Sequence, residues 1–470
     1  MQPVSSRPLA RLDRALATTP GWAIAIGLLA VLQLALIWTH QPWADEYQAL
    51  LLASEASSQH ELLAWLRYEG HPPAWYWLLQ ALGAVLPFAA VLPAAATLCA
   101  AVVQGAILFA APFSRAERLL LAASQYVLFE FLTISRGTSL GAALVVLAPV
   151  LWRSRWLWLV MALLPMVDFL FGVISGTFLV LKWRERDLWW PGVAAWLAAS
   201  AFAGWSVLPA PDMVSASEAM PMDSGIVSWF LKLGSLPLPF QGGIAPQWNT
   251  PVAPVALVAG PAMLWLCWHL TRGRVWHRLM IFGFFGFTLA FSMAVYPIGL
   301  RHLMLGCLLL IVLVWLQGGG SDAEPDNRGA VWQVWLIVLA VCGLATSAIS
   351  TVRGFDSGAL VVAEIERRGL ADRRWVALPE WRAPAIAGRS EIAFERLGED
   401  CTFRFVRWDH SYSALASVEA FAAAIEADIA RNGRGYLLSD MEFSGFDPDL
   451  VSPLARIDRG YDGIDYHLYV

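Results

Sequence analysis

Charge is what this sequence has least of. Of 470 residues only 15% are Asp, Glu, Lys or Arg, while 58% are hydrophobic. A water-soluble chain of this length needs far more polar surface to cover its core, so a free globular protein is excluded and a multi-pass membrane protein remains. Cysteine is scarce too. Cys99, Cys267, Cys307, Cys342 and Cys401 form no Cys-x-x-Cys and no Cys/His spacing suited to a metal, which excludes a disulfide framework and a structural zinc site. There is no Gly-rich phosphate loop and no internal repeat. The net charge of -5 gives no reason to expect nucleic acid as a partner. Tryptophan, by contrast, is abundant: 25 indole rings suit a chain with many membrane–water boundaries.

Apolar segments long enough to cross or nearly cross a bilayer recur through residues 21–350. They fall near 21–39, 92–111, 117–134, 138–152, 155–167, 169–182, 188–208, 252–270, 279–297, 302–317 and 332–350. That is about 11 spans, several of them short enough to require shelter inside a bundle. Arg7, Arg11 and Arg14 precede the run Trp22–Trp38, which is long and lacks a following small-x-small cleavage pattern, so the first span is read as uncleaved. A further apolar helix, Ala74 to Leu86, follows His71-Pro72-Pro73, and prolines suit a helix start.

Lys and Arg set the orientation. Basic residues cluster at 7–14, Arg115/Arg118, Arg153/Arg155, Lys182/Arg184/Arg186, Arg272/Arg274/Arg278 and Arg328. Placing these in the cytoplasm leaves 40–71, Arg136, Asp168, 209–251, Arg301 and everything after 350 outside. Parity then requires that 74–111 cross once in net terms, so 74–86 is read as a re-entrant or interfacial helix. The fold class expected is thus a polytopic α-helical membrane protein with a small C-terminal α/β extracytoplasmic domain. Its parts are a cytoplasmic N-terminus at 1–20, a transmembrane domain at 21–350 and the outer domain at 351–470.

Within the outer segments, Ser58 to Tyr68 spaces Leu62, Leu63, Trp65 and Leu66 as a short amphipathic helix on the membrane surface. Residues 209–251 make a loop long enough to be functional. In the C-terminal piece, Ala359–Arg368 and Ser417–Arg431 read as helices, with Ser417 as N-cap. Trp375–Leu378, Phe403–Trp408, Gly435–Leu438 and Tyr466–Val470 read as strands.

Five places carry candidate chemistry, and the topology puts all of them on one side. Asp45-Glu46 is an acidic pair beside Trp43, just past the first span, and is either a proton acceptor or an ordinary solvated loop. His71, in Glu69-Gly70-His71-Pro72-Pro73, can contact an anion or simply precede a capped helix. Arg136, in Ser135-Arg136-Gly137-Thr138, lies on the side where the charge rule expects no arginine; Glu130 is the alternative partner that would neutralise it. Asp168 stands alone between two short apolar segments, as a cavity acid or a helix cap. Arg301-His302 opens the tenth span after Tyr296-Pro297 and is a site group or an interface anchor. Ionisable groups at a membrane edge are costly without partners, so convergence is the simplest explanation for all five.

The first span, the sequence Trp43-Ala44-Asp45-Glu46 and the later Arg67-Tyr68-Glu69-Gly70-His71-Pro72-Pro73 together resemble the GT-C superfamily of polyprenyl-phosphate-sugar glycosyltransferases. Protein O-mannosyltransferases and lipid A aminoarabinose transferases belong to that superfamily. The likeness is greatest to largely uncharacterised bacterial members carrying Trp-x-Asp-Glu-x-Gln-Ala and Arg-Tyr-Glu-Gly-His-Pro. It is specific mainly over 43–77 and extends loosely over 20–320.

The resemblance implies an enzyme that transfers a sugar from a polyprenyl-phosphate donor to an acceptor hydroxyl, with inversion, on the extracytoplasmic face of a bacterial inner membrane. It implies Asp45 as the catalytic acid residue with Glu46 adjoining, and His71 in the donor cavity. Arg136, Asp168, Arg301 and His302 join the phosphate- and sugar-binding groups. The partners implied are the lipid-linked donor, membrane lipids and a glycan, glycolipid or protein acceptor. Metal use varies across the superfamily: cationic side chains could suffice for a monophosphate leaving group, or Asp45, Glu46 and His71 could instead hold a divalent metal ion. The chain departs from the pattern at Gly137-Thr138, where relatives often carry Asn-Tyr, and after Asp168, where a histidine is replaced by apolar residues such as Phe171. Two other classes compete. A transporter or lipid flippase would show mid-membrane polar groups and paired repeats. A non-catalytic envelope assembly protein would tolerate alanine at Asp45 and His71.

Overall fold

The computed structural model describes residues 9–214, 225–239, 253–295, 298–318, 329–397, 401–409, 418–443, 447–458 and 460–470. After a short α1 (Ala10–Leu16), α2 (Thr19–Thr39) starts on Thr18, whose side chain accepts from the Gly21 N–H, with Pro20 in the first turn. Ile24, Leu28 and Val31 are each more than 60% exposed along one stripe of α2, while Leu29, Gln33, Leu36 and Ile37 are buried on another. An outward apolar stripe of that kind is stable only in an apolar solvent, which makes the helix a membrane span. Among the described residues five helices are long and apolar enough to cross a membrane by length and composition; Gly137–Val150, Trp156–Met166 and Val255–Leu270 are apolar but shorter.

The acidic segment after α2 is helical where the sequence reading left a loop. It forms α3 (Ala44–Glu55), and α4 (Gln59–Glu69) follows, capped by Ser58 and closed by Gly70 in the left-handed conformation. Next come α5 (Ala74–Gly83) and α6 (Phe88–Gly105). Ten residues of α5 reach only about 15 Å, half a hydrocarbon core, so α5 alone is too short to span one. The chain continues with α7 (Arg115–Ala122), α8 (Gly137–Val150), α9 (Trp156–Leu163), α10 (Phe169–Arg184) and α11 (Trp190–Ser206). The helical part closes with α12 (Gly225–Ser235), α13 (Ala253–Leu270), α14 (Val275–Ala294), α15 (Leu300–Gly318) and α16 (Gly329–Arg353). Helix α12 is the described part of the long 209–251 loop; residues 215–224 and 240–251 of that loop lie outside the described residues, as do Arg7, Tyr296-Pro297, Arg328 and Ser417.

Polar side chains inside the bundle answer backbone irregularities. Gln125–Phe131 is a π-helical turn. The Leu128 carbonyl there accepts from Gln33 Nε2 (3.2 Å) and Thr133 Oγ1 (2.8 Å), and Gln104 in turn donates to Gln33 (2.8 Å). A backbone group released from regular pairing must find a partner where water is absent; Gln33 and Thr133 supply it, and Gln104 satisfies Gln33.

The C-terminal domain is a six-stranded sheet in the order β3-β2-β1-β4-β6-β5, made of β1 (Trp375–Leu378), β2 (Phe394–Glu395), β3 (Thr402–Phe403), β4 (Tyr436–Ser439), β5 (Pro453–Ile457) and β6 (Tyr466–Tyr469). β1 pairs in parallel with β2 and β4; the other pairings are antiparallel. All four β1 residues are buried because both faces are covered. Trp375 and Ala377 pack with α17 (Gly358–Arg367) and α18 (Ala383–Ala387), whereas Val376 and Leu378 pack with Phe421 and Ile425 of α19 (Val418–Asn432). The strand expected over Phe403–Trp408 joins the ladder only at its start. Residues 404–407 leave the sheet and lie along α3 and α4, where Arg404 meets Glu55, Phe405 meets Trp65 and Arg407 meets Tyr68, while Trp408 and Asp409 pair with Met213 and Val214.

Candidate functional site

Five helices present their N-termini at one end of the bundle, and each brings a candidate residue. Asp45 is in the first turn of α3, His71 precedes α5, Arg136 caps α8, Asp168 caps α10 and Arg301 is in the first turn of α15. The unpaired N–H groups and partial positive charge of helix starts favour an anion at this end. Asp168 shows why such a residue is retained locally: its Oδ1 accepts from the Leu170 N–H at 2.8 Å. Gly137 lets α8 start close by, since a β-carbon there would sit 3.6 Å from Trp75 and 3.7 Å from Val167.

Asp45 stands between two arginines. Its Oδ2 accepts from Arg136 Nη1 at 2.5 Å and from Arg301 Nη1 at 3.3 Å. The Asp45 side chain is 38% exposed while the two guanidiniums are about half as open, so the carboxylate is approached from outside with the cations behind it. Arg136 also stacks 5.5 Å over the Trp43 ring. The arginine that the sequence offered to Glu130 is therefore held by Asp45 instead. Alongside, His71 Nδ1 lies 3.2 Å from Asp168 Oδ2. Burial works against the imidazolium, but the hydrogen bond and charge of Asp168 outweigh it and raise the His71 pKa. His71 interacts electrostatically with Arg136 and Glu69, which joins the two pairs into one neighbourhood. Phe171, where a histidine was expected, is fully buried against Gly141, and His71 takes the Asp168 carboxylate itself.

Glu46 and His302 stand differently from Asp45 and Arg301. Glu46 is fully buried: Oε2 accepts from the Trp43 N–H (3.2 Å) and meets His40 Nε2 (2.8 Å), and Oε1 accepts from the Ser135 N–H (2.6 Å). With both oxygens engaged, it fastens the ends of α2 and α3 to the loop before Arg136. His302 turns its Nδ1 to the Gly299 N–H at 3.0 Å, closing the turn that delivers Arg301, while staying within electrostatic reach of Arg136 and His71. For the same reason Asp45, Glu46 and His71 do not assemble a metal site: Asp45 faces two arginines, Glu46 faces backbone, and His71 faces Asp168. Among the described residues no group of three or more His, Cys, Asp or Glu is arranged to hold a metal ion.

Two residues escaped the sequence reading. Glu69 accepts from Gln48 Nε2 at 2.7 Å, and burial pushes its carboxyl up to about 7, against the pull of that hydrogen bond and of the His71 and Arg136 charges. Its place in Arg67-Tyr68-Glu69-Gly70-His71 was the available signal. Lys232, on α12, is only 8% exposed and its Nζ donates to the Ile298 carbonyl at 2.8 Å. It too acts on His302. A lysine in an otherwise apolar Trp229–Leu233 stretch was the signal there.

Comparison with known proteins finds no matching family model and no matching curated protein. Among solved structures the chain is similar to ArnT from Cupriavidus metallidurans bound to undecaprenyl phosphate, at 13% identity with a TM-score of 0.48, covering 96% of this chain and 98% of that one. It is also similar to the same protein in the apo state, at 13% identity, the same coverage and a TM-score of 0.44.

Proposed function

We propose that the chain is an integral-membrane glycosyltransferase that moves a sugar from a polyprenyl phosphate to an acceptor hydroxyl. The observation that carries this reading is Asp45 held between Arg136 and Arg301 where five helix starts gather. In the reaction the acceptor O–H gives its proton to Asp45 as its oxygen attacks the anomeric carbon from the face opposite the lipid phosphate. The bond from that carbon to the phosphate oxygen breaks, and the phosphate departs with the electron pair, so configuration inverts.

A phosphate arriving at Arg136 and Arg301 competes with Asp45 for them. The carboxylate is thereby loosened from its ion pairs and left open to the acceptor hydroxyl as the donor binds. His71 and Lys232 add cationic contacts, each charge-assisted hydrogen bond contributing about 1.5–3 kcal/mol. The leaving group can thus be stabilised by this chain's own side chains. The exposed apolar residues Ile226, Val227 and Phe230 of α12, on the helix that carries Lys232, are suited to a polyprenyl tail.

The basic residues at the opposite helix ends support an inner-membrane topology with the N-terminus in the cytoplasm and the site and C-terminal domain outside. Undecaprenyl phosphate is the carrier proposed, and the acceptor is a glycan, glycolipid or protein bearing a hydroxyl.

Purified protein supplied with short-chain polyprenyl-phosphate sugars should release or transfer the sugar. Asp45→Ala should lower turnover at least about 1,000-fold while the protein stays folded. Wild-type turnover in that variant would remove Asp45 from the role of base. Cysteine labelling at position 69 from outside, and at position 184 only after permeabilisation, checks the orientation.

A further inference from the structure

Helix α3 has twelve residues, too few to hold its place alone, so its position is set by what packs on it. One stripe, Ala49, Leu50, Leu52 and Ala53, joins the core of the membrane bundle. Another, Ala44, Tyr47 and Leu51, joins the core of the C-terminal domain. Asp45 therefore rides on a helix shared between two cores.

The domain grips α3 along its length. Arg389 Nη2 donates to the Pro42 carbonyl at 2.5 Å, its Nη1 donates to Ala385 and pairs with Asp356 at 3.2 Å, and its guanidinium lies 4.9 Å from the centre of the Tyr47 ring. Pro42 and Tyr47 flank Asp45. Behind Tyr47 the domain presents Gly388, where a β-carbon would fall 2.0 Å from the ring, so backbone and ring are already in contact. One turn on, Gln48 exchanges two hydrogen bonds with the Val406 backbone (2.8 and 2.9 Å) and keeps its other N–H for Glu69. At the far end Arg404 reaches Glu55 at 3.2 Å. Phe405 meets Trp65 at 4.9 Å between ring centres and Arg407 lies 4.9 Å over Tyr68, so the same segment holds α4 as well.

We propose that the C-terminal domain is a working part of the site, and that Arg389 is a positioning residue that fixes where α3 presents Asp45; this rests on the transferase reading above. The donor is held mainly by bundle residues, Arg136, Arg301 and Lys232, which the domain does not carry. Loss of the Arg389 grip therefore displaces the base and not the lipid. A displacement near 1 Å costs about 100-fold in rate.

The test uses the full chain in detergent, with the polyprenyl-phosphate sugar that wild type turns over and the same lipid phosphate without sugar as a binding probe. Arg389→Met should lower kcat about 100-fold, with lipid-phosphate affinity and donor KM within about twofold of wild type. Arg389→Lys, which keeps the charge beside Asp356 and one donor for Pro42, should recover part of kcat at unchanged KM. Arg404→Met, which loosens the same interface three turns from Asp45, should stay within about threefold of wild type.

The proposal is overturned if R389M turns over like wild type, if its KM and lipid affinity worsen in step with kcat, or if R404M is equally impaired. Should R389M not fold, R389K decides: kcat lowered at unchanged KM and lipid affinity supports the positioning role, whereas kcat equal to wild type, or KM and affinity worsening in step with kcat, overturns the claim that the full guanidinium grip on Pro42, Tyr47 and Asp356 positions Asp45. Asp45→Asn run in parallel separates the two ideas. If wild type and D45N behave alike, the transferase reading falls; if D45N is inactive and R389M normal, only the domain's role falls.

Discussion

Two lysines at opposite ends of the helical bundle are almost equally buried and quite differently answered. Lys182, 2% exposed near the end of α10, pairs with Asp187, lies 3.3 Å from Glu185, donates to the Trp152 carbonyl at 3.1 Å and sits 5.1 Å over the Trp152 ring. Lys232, 8% exposed beside the candidate site, donates to one carbonyl, and among the described residues no carboxylate pairs with it. The ends differ in the same sense elsewhere. Around Lys182 the cations are closed off locally: Arg115 donates to the Leu16 carbonyl at 2.6 Å and Arg118 to Phe113 and Leu108 at 2.9 and 3.0 Å. Around Lys232, Arg136 and Arg301 both reach the same oxygen of Asp45. A buried ammonium without an anion is costly. That contrast among the described residues is what the proposed phosphate donor would explain: its anion would face Lys232 and leave Lys182 untouched.

The largest way to break this comparison is to remove one arginine from each end. Arg136→Met should lower kcat/KM for donor about 100-fold, since a cation facing the leaving group is worth several kcal/mol in a dry site. Arg118→Met should leave kcat/KM near wild type and lower only the melting temperature. Steady-state kinetics with a polyprenyl-phosphate sugar reads both, and equal losses would erase the distinction between the ends. A second test concerns the site's unsettled acid. Glu69 ionises near 4.5 in the unfolded chain and near 7 in the folded one. Its contribution to stability is therefore complete below pH 4.5 and disappears as pH rises through 7, by at most about 3 kcal/mol. Thermal melts of wild type should decline across that window, and Glu69→Gln should flatten the decline. An unchanged slope would mean that Glu69 is solvated.

The gathering of Asp45, His71, Arg136, Asp168 and Arg301 was legible because each is a charge that apolar surroundings make costly, so position alone made it informative. Spans were legible for the same reason, through runs such as Thr19–Thr39. The two-way use of α3 was not. Ala44-Asp45-Glu46-Tyr47-Gln48 reads as a polar loop until the C-terminal domain supplies apolar partners for Ala44, Tyr47 and Leu51. Glu46 likewise looks identical to Asp45 in sequence, and only the Ser135 and Trp43 N–H groups, 89 and three residues away, distinguish a fastening from a free carboxylate. In the domain itself β2 has two residues and β5 begins with a proline, too little pattern to declare a strand. The segment 404–407 alternates like a strand but spends that alternation on α3 and α4.

The lysine pair offers the smallest effect and the closest test of the opening contrast, because the same substitution is made in both settings. Lys232→Met removes an ammonium whose partner among the described residues is the Ile298 carbonyl, so the melting temperature should not fall. Affinity for polyprenyl phosphate should drop about tenfold, while affinity for the neutral polyprenol of equal length stays the same. Lys182→Met deprives Asp187 and Glu185 of their cation and leaves the Trp152 carbonyl without that donor. It should cost about 1–2 kcal/mol of stability and leave lipid-phosphate affinity unchanged. The two readouts must cross: binding lost at one lysine, stability lost at the other. If Lys232→Met instead lowers the melting temperature and weakens phosphate and polyprenol alike, Lys232 is a structural fastener of the Ile298 turn, and the asymmetry between the two ends no longer points to a ligand.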